Sequence, residues 1–230
     1  KSIPRFHCDR TDTQQMRRAL GGRQFDAVVD FTLYKGAEAE DIVDILSGQI
    51  GHFIFISTGQ VYLIREGITR PFKENDYQAP LMPPPEPNTF DYEEWLYGRD
   101  KSAAEDVFIK AHAEKNFPYT TLRLPMVNSE YGGFDRLYGY VLRIKDGGPI
   151  LVPDAPDYPL RHIYSHDVVS ALVTLLEKHH GIGRAYNISQ DETVSLEEFL
   201  TILGTVLTIE PKIVRIDREK LKANGFLPDC

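Results

Sequence analysis

Two short apolar runs, Phe25-Asp-Ala-Val-Val-Asp30 and His52-Phe-Ile-Phe-Ile-Ser57, are rich in β-branched and aromatic residues and give way to small or polar ones. They read as buried strands. Between them, Ala37 to Leu46 carries Ala, Ile and Leu at helical spacing, and Gly48 and Gly51 punctuate its end, which completes a strand–helix–strand unit. The alternation continues with a helix from about Tyr92 to Glu114, broken before Pro118, and a strand Tyr119 to Leu124 stopped by Pro125. A helix near Phe134 to Lys145, a strand near Pro149 to Val152, a helix near Asp167 to Lys178 and a strand at Ala185 to Ile188 follow. Strands alternating with helices of about 10–15 residues predict an α/β fold, a mostly parallel, doubly wound sheet with helices on both faces.

Two segments carry local signals of another kind. Ser195-Leu-Glu-Glu198 is a capping box ahead of the apolar stretch Phe199 to Leu207, a structural signal without chemistry. Residues Pro71 to Asn88 include Pro83-Pro-Pro85-Glu-Pro87 and can form neither helix nor central strand. They are read as a solvated connector, with the rim of a substrate cleft as the other reading.

Composition removes several classes. In 230 residues, 26 Lys and Arg face 34 Asp and Glu, a formal charge of −8. That balance opposes attraction to phosphate backbones, so nucleic acid is not an expected partner. The longest apolar runs, such as Ile54 to Ile56 and Ala171 to Leu176, fall far short of the roughly 18 residues of a membrane span. Cys8 and Cys230 lie at opposite ends and cannot form a zinc ribbon or a disulfide framework, which suits a reducing, cytoplasmic compartment. His179 and His180 are adjacent at a helix end, where their side chains diverge, and no third ligand is spaced nearby, so no metal is expected.

Tyr97-Gly-Arg-Asp-Lys101 places a phenol and an ammonium four residues apart, on one face of a helix. A nearby ammonium favours the phenolate, and such a pair can exchange a proton with a substrate hydroxyl or carbonyl. Taken singly the motif is weak, because Tyr and Lys are common here. The run Phe53 to Tyr62 strengthens it: a strand ends in Ser57, Thr58 and Gly59, at the carboxyl end of the sheet, where open α/β folds bind ligands. A hydroxyl there can donate to a substrate oxygen that gains charge.

In this context the sequence resembles the extended short-chain dehydrogenase/reductase family, specifically its NAD-dependent epimerase/dehydratase group. The resemblance runs in the family's order through His7-Cys-Asp-Arg-Thr-Asp12 (the end of the third strand), Phe25 to Asp30 (the fourth), Ser57-Thr-Gly-Gln-Val-Tyr62, Tyr97 to Lys101, Leu122 to Val127 and Arg161-His-Ile-Tyr-Ser-His-Asp167. It implies a Rossmann-like core over residues 1–128 and 161–189, and a small C-terminal substrate lobe over 129–160 and 190–230. It further implies NAD or NADP as cofactor, a small-molecule substrate such as a nucleotide sugar, and a homodimer through the helix carrying Tyr97. Carried over residue by residue, Thr58 is the hydroxyl on the substrate oxygen, Tyr97 the acid/base, and Lys101 the group that lowers the phenol pKa and holds the ribose. Asp9 and Arg10 fall beside adenine, Phe31, Thr32, Ser57 and Pro125 along the cofactor, and Asn128 with Arg161 on the substrate. Arg161 has a second reading, an ion pair with Asp154, Asp157 or Asp167. The aromatic stretch Tyr131 to Tyr140 is either a stacking surface for a sugar or base, or packing for the lobe. Glu74 is read as structural.

The departures are as informative. Gly59-Gln60 stands where the family's dehydratases carry an Asp-Glu pair, which argues against 4,6-dehydration and for oxidation/reduction or epimerisation. Phe31-Thr-Leu-Tyr34 replaces a segment of small residues against the cofactor. From Lys1 onward no Gly-x-x-Gly-x-x-Gly turn opens a helix, and Gly181-Ile-Gly183 precedes a strand and reads as a turn. The sequence is therefore expected to be most of such an enzyme, lacking the N-terminal Gly-rich βα unit and the extreme C-terminus. The competing expectation is a non-catalytic relative that senses a dinucleotide or binds a partner or RNA on the same scaffold.

Overall fold

The structure, a computed structural model, describes residues 5–130, 136–154, 159–178 and 180–226. Of the positions singled out above, Lys1, Tyr131, Phe134, Asp157, His179 and Cys230 lie outside them. In chain order the elements are α1 (Thr13–Leu20), β1 (Val28–Asp30), α2 (Gly36–Leu46), β2 (Phe53–Thr58), α3 (Gln60–Leu63), a 3-10 turn (Glu74–Gln78), α4 (Phe90–Lys115), β3 (Tyr119–Leu124) and β4 (Met126–Asn128). They continue with α5 (Arg136–Asp146), β5 (Pro149–Pro153), β6 (His162–Tyr164), α6 (Ser165–Lys178), β7 (Arg184–Asn187), α7 (Leu196–Leu207), β8 (Lys212–Ile216) and α8 (Arg218–Ala223). The chain divides into a unit of Lys1–Asn88, Tyr92–Leu124 and Val169–Ile188, and a second of Thr89–Asp91, Pro125–Val168 and Ser189–Cys230.

The first unit holds a parallel sheet in the order β1-β2-β3-β7. Among these strands β2 is internal and covered on both faces, hence its run of apolar residues rather than an alternation; Phe53, Ile54 and Phe55 are fully buried. The helices supply matching apolar stripes. Ala39, Ile42, Val43 and Leu46 of α2 and Ala104, Phe108 and Ala111 of α4 close on Phe53, Phe55, Phe117 and Tyr119. The Phe108 ring centroid lies 4.9 Å from that of Phe53 and 5.4 Å from that of Phe55. Each such side chain contributes about 1.5–3 kcal/mol on burial.

Residues 5–8 join no strand, contrary to the strand end expected at His7 to Asp12. Asp9 accepts from the Thr11 N–H and Asp12 from those of Gln14 and Gln15, and such local bonds favour a turn and a helix cap over a ladder. The connector after Pro71 is also more ordered than expected. Asp76 accepts the Lys73 N–H at 2.7 Å, and Tyr77 is buried, its one O–H shared between the Ser102 carbonyl at 2.9 Å and Asp106 at 2.8 Å. Glu74 has the structural role expected of it, accepting the Asn187 N–H at 2.9 Å. Gly181 and Gly183, with φ of 87° and 77°, form a turn before β7.

In the second unit β4 pairs with β6, and β5 with β8, both parallel. Ile144, Ile150, Val152 and Leu200 form its core, with Tyr140 and Leu203 packed against them. The Ser195 capping box is formed: its hydroxyl accepts the Glu198 N–H at 3.1 Å and Glu198 accepts the Ser195 N–H at 2.7 Å. Among the described residues no helix is long and apolar enough to cross a membrane.

Candidate functional site

The site of the first unit is built where β1 and β2 end and α4 crosses them. Along α4, Gly98, Lys101, Ala104, Glu105, Phe108 and Ala111 are buried, a three-to-four residue spacing that turns one stripe to the sheet. Gly98 allows the approach: a Cβ there would stand 2.9 Å from both the Gln60 carbonyl oxygen and Ile64 Cγ2. The close contact brings Tyr97 to the end of β2, where its phenol lies beside the Thr58 hydroxyl, which favours the phenolate. Thr58 Oγ1 also accepts the Gln60 N–H at 3.2 Å, fixing the hydroxyl at the exit of the strand.

Lys101 lies one turn further on and is only 3% exposed. Its Nζ donates to the Leu33 carbonyl at 2.7 Å and to the Ile56 carbonyl at 2.9 Å, and rests 4.7 Å from the Tyr34 ring centroid and 4.8 Å from that of Phe55. Burial pulls its pKa down to about 8, against the opposing pull of Asp30 and Glu105. Tyr97 moves the other way. Burial raises its pKa first, Thr58 partly offsets the rise, and Tyr34 and Glu94 add to it. The Lys101 ammonium, expected to lower the phenol pKa, is engaged here by two backbone carbonyls.

Ser57, expected along the cofactor, turns inward. Its hydroxyl donates to Glu105 at 2.6 Å, and Glu105 is paired with Arg123 at 2.6 Å in the core. Arg123 in turn donates to the Tyr62 hydroxyl at 2.7 Å, and Tyr62 to Asn187 at 2.7 Å. This buried network anchors the strand end beneath Thr58. On the β1 side, Arg10 makes two 2.8 Å bonds to the Asp30 carboxylate and one of 2.7 Å to Thr32, with Glu38 3.4 Å from its Nε. Phe31, 58% exposed, projects beside them. Asp9 is taken up locally by Thr11. Thus Arg10, Phe31 and Thr32 gather at the end of β1, and Thr58, Tyr97 and Lys101 at the end of β2.

Pro125, Asn128 and Arg161 belong to the second unit. Asn128 ends β4 opposite Tyr164, and Arg161 donates to the Ser189 hydroxyl and the Gln190 carbonyl, each at 3.1 Å. Sequence reasoning did not single out Asp30, Tyr34, Glu105 or Arg123. For Glu105 a signal existed, since it continues the four-residue spacing of Tyr97 and Lys101; Tyr34 was noted only as part of a departure.

No curated protein matches the chain by sequence. Among solved structures it is similar to dTDP-glucose 4,6-dehydratase from Bacillus anthracis in complex with NAD (TM-score 0.68, 18% identity, covering 96% of this chain and 73% of that one). It is likewise similar to RMD from Pseudomonas aeruginosa complexed with NADPH (0.67, 19%, 98% and 84%) and to an epimerase from Methanothermobacter thermautotrophicus (0.67, 15%, 96% and 70%). At these identities the likeness establishes the Rossmann-like fold alone. The profile of one family extends over residues 2–189, and on that match the chain belongs to the NAD dependent epimerase/dehydratase family.

Proposed function

We propose that the chain forms the catalytic part of an NAD(P)-dependent oxidoreductase or epimerase acting on a hydroxyl or carbonyl group of a nucleotide sugar, with Tyr97 as acid/base. The arrangement that carries the reading is Tyr97 beside Thr58 at the end of β2, with Lys101 one helical turn away. The residues present suit a dinucleotide. Lys101 uses two of its three N–H donors on carbonyls, and Phe31 offers an exposed apolar face. A bound nicotinamide dinucleotide supplies the two-electron chemistry.

The chain's own residues handle the proton and the geometry. Thr58 orients the substrate oxygen, and Tyr97 gives or takes its proton. A phenol is protonated at neutral pH by its ordinary pKa of about 10, and partial burial pushes the same way, so Tyr97 is set as a proton donor for reduction, and the oxidative direction gains as pH rises. Lys101 offers its remaining N–H to ribose, Ser57 acts through Glu105 in fixing the strand end, and Arg10, Thr32 and Phe31 take the nucleotide side, with Asp9 nearby in the chain. In the second unit, Pro125 is assigned to the cofactor, and Asn128 and Arg161 to the substrate. Gln60, whose amide donates to the Glu94 carbonyl at 3.4 Å, supplies no carboxylate, which disfavours dehydration. A dinucleotide sensor is the second reading, favoured by the engagement of Lys101 with two carbonyls. Titration of NADH and NADPH fluorescence, followed by turnover on nucleotide sugars and simple carbonyl compounds, separates them. Binding with turnover is expected; binding without turnover favours the sensor, and no binding removes both.

A further inference from the structure

We propose that Tyr34 governs access to Lys101: its ring is the cover that a vicinal diol must displace or stack upon to reach the ammonium. Three observations meet at this residue. The ring centroid lies 4.7 Å from Lys101 Nζ and that of Phe55 4.8 Å, so the ammonium rests on two aromatic rings. The ring is also 6.2 Å from that of Tyr97, at 51°. It therefore stands beside the acid/base as well as over the cation.

The backbone around Tyr34 is pinned. The carbonyl of Leu33, itself fully buried, accepts from Lys101, and the Tyr34 N–H donates to Glu38 at 3.1 Å. Yet the residue is 47% exposed, because its outer face meets no core. A pinned backbone with a half-exposed ring leaves side-chain rotation as the way to uncover Lys101, without loop movement. The identity of the diol as ribose rests on the proposed function; the cover itself does not.

The test is the rate at which Lys101 is reductively methylated by formaldehyde and cyanoborohydride, read by peptide mass spectrometry across a pH series. The plateau at high pH separates access from any change in the ammonium's pKa. In the unaltered chain Lys101 is expected to react more slowly than the exposed Lys35. Tyr34→Ala is expected to raise the Lys101 plateau about tenfold, and Tyr34→Phe, which keeps the aromatic face, to leave it within about twofold. Equal rates for Lys101 and Lys35 in the unaltered chain, an unchanged rate in Tyr34→Ala, or a Tyr34→Phe rate matching Tyr34→Ala overturns the cover. The first comparison needs no variant to fold. Saturating NADH is expected to protect Lys101; NADH that binds and leaves the rate unchanged overturns the diol. Failure of NADH and NADPH to bind at all removes the redox reading, and the methylation rates still decide the cover.

Discussion

Two stretches of α4, up to Glu105 and beyond it, bury different kinds of residue against the same sheet. The later stretch places Phe108 and Ala111 on the rings of Phe53, Phe117 and Tyr119, a mainly apolar core. The earlier stretch puts Lys101 and Glu105 into comparable burial against the other end of β2, Ser57 and Thr58. The strand changes character at the same level as the helix. Parallel strands collect their carboxyl ends on one side, and the chain has spent its buried charges there. Both stretches hold the fold, the proposed chemistry is placed at the earlier one, and one helix carries both.

The strongest way to break this contrast is to damage each stretch equally. Glu105→Ala leaves Arg123 charged and unpaired and is expected to cost about 3–5 kcal/mol; Phe108→Ala is expected to cost a similar amount, about 3–5 kcal/mol, through its cavity. Urea unfolding measures both. At a temperature where both variants stay folded, Phe108→Ala should keep kcat and KM, while Glu105→Ala, by releasing Ser57 beside Thr58, should lower kcat. Equal kinetic losses would erase the contrast.

A smaller effect sharpens it through pH. Lys101 titrates at about 8 in the folded chain against 10.5 when free, so between these values the unfolded chain binds more protons and stability rises with pH. The cost of the buried ammonium is present in full below pH 8. Tyr62, Tyr77, Tyr97 and Tyr119 have raised values and oppose the rise above pH 10, which leaves pH 8 to 10 as the window. The slope due to Lys101 is at most roughly 1.4 kcal/mol per pH unit, and Lys101→Met should remove that contribution in urea unfolding at each pH. The smallest expected effect lies outside both stretches: Ser195→Ala loses the cap of α7 and about 1 kcal/mol, with no change in that slope.

Much of the fold was legible from periodicity. The strands at Phe53 and Tyr119, the helix carrying Tyr97 and the Ser195 cap all lie where apolar spacing and capping chemistry put them. The missed elements have specific causes. β8 and α8 show half-exposed, charge-rich patterns in which no face is distinctly apolar, and the His7 segment was drawn into a turn by Asp9 and Asp12. At the site, Tyr97, Lys101 and the strand-end hydroxyls stood out by type and spacing, and the choice of Thr58 among them rested on the family resemblance. The roles of Ser57 and Tyr34 could not be read, because they depend on which way a side chain turns at a strand end, and sequence holds no direct record of that.

The central claim is that the Tyr97 phenol moves the substrate proton. The most direct measurement is steady-state turnover of Tyr97→Phe alongside its NADH or NADPH dissociation constant. The account predicts that kcat falls by about 10²–10⁴ while the cofactor is bound within a few-fold of the unaltered affinity; normal turnover with cofactor bound would contradict it.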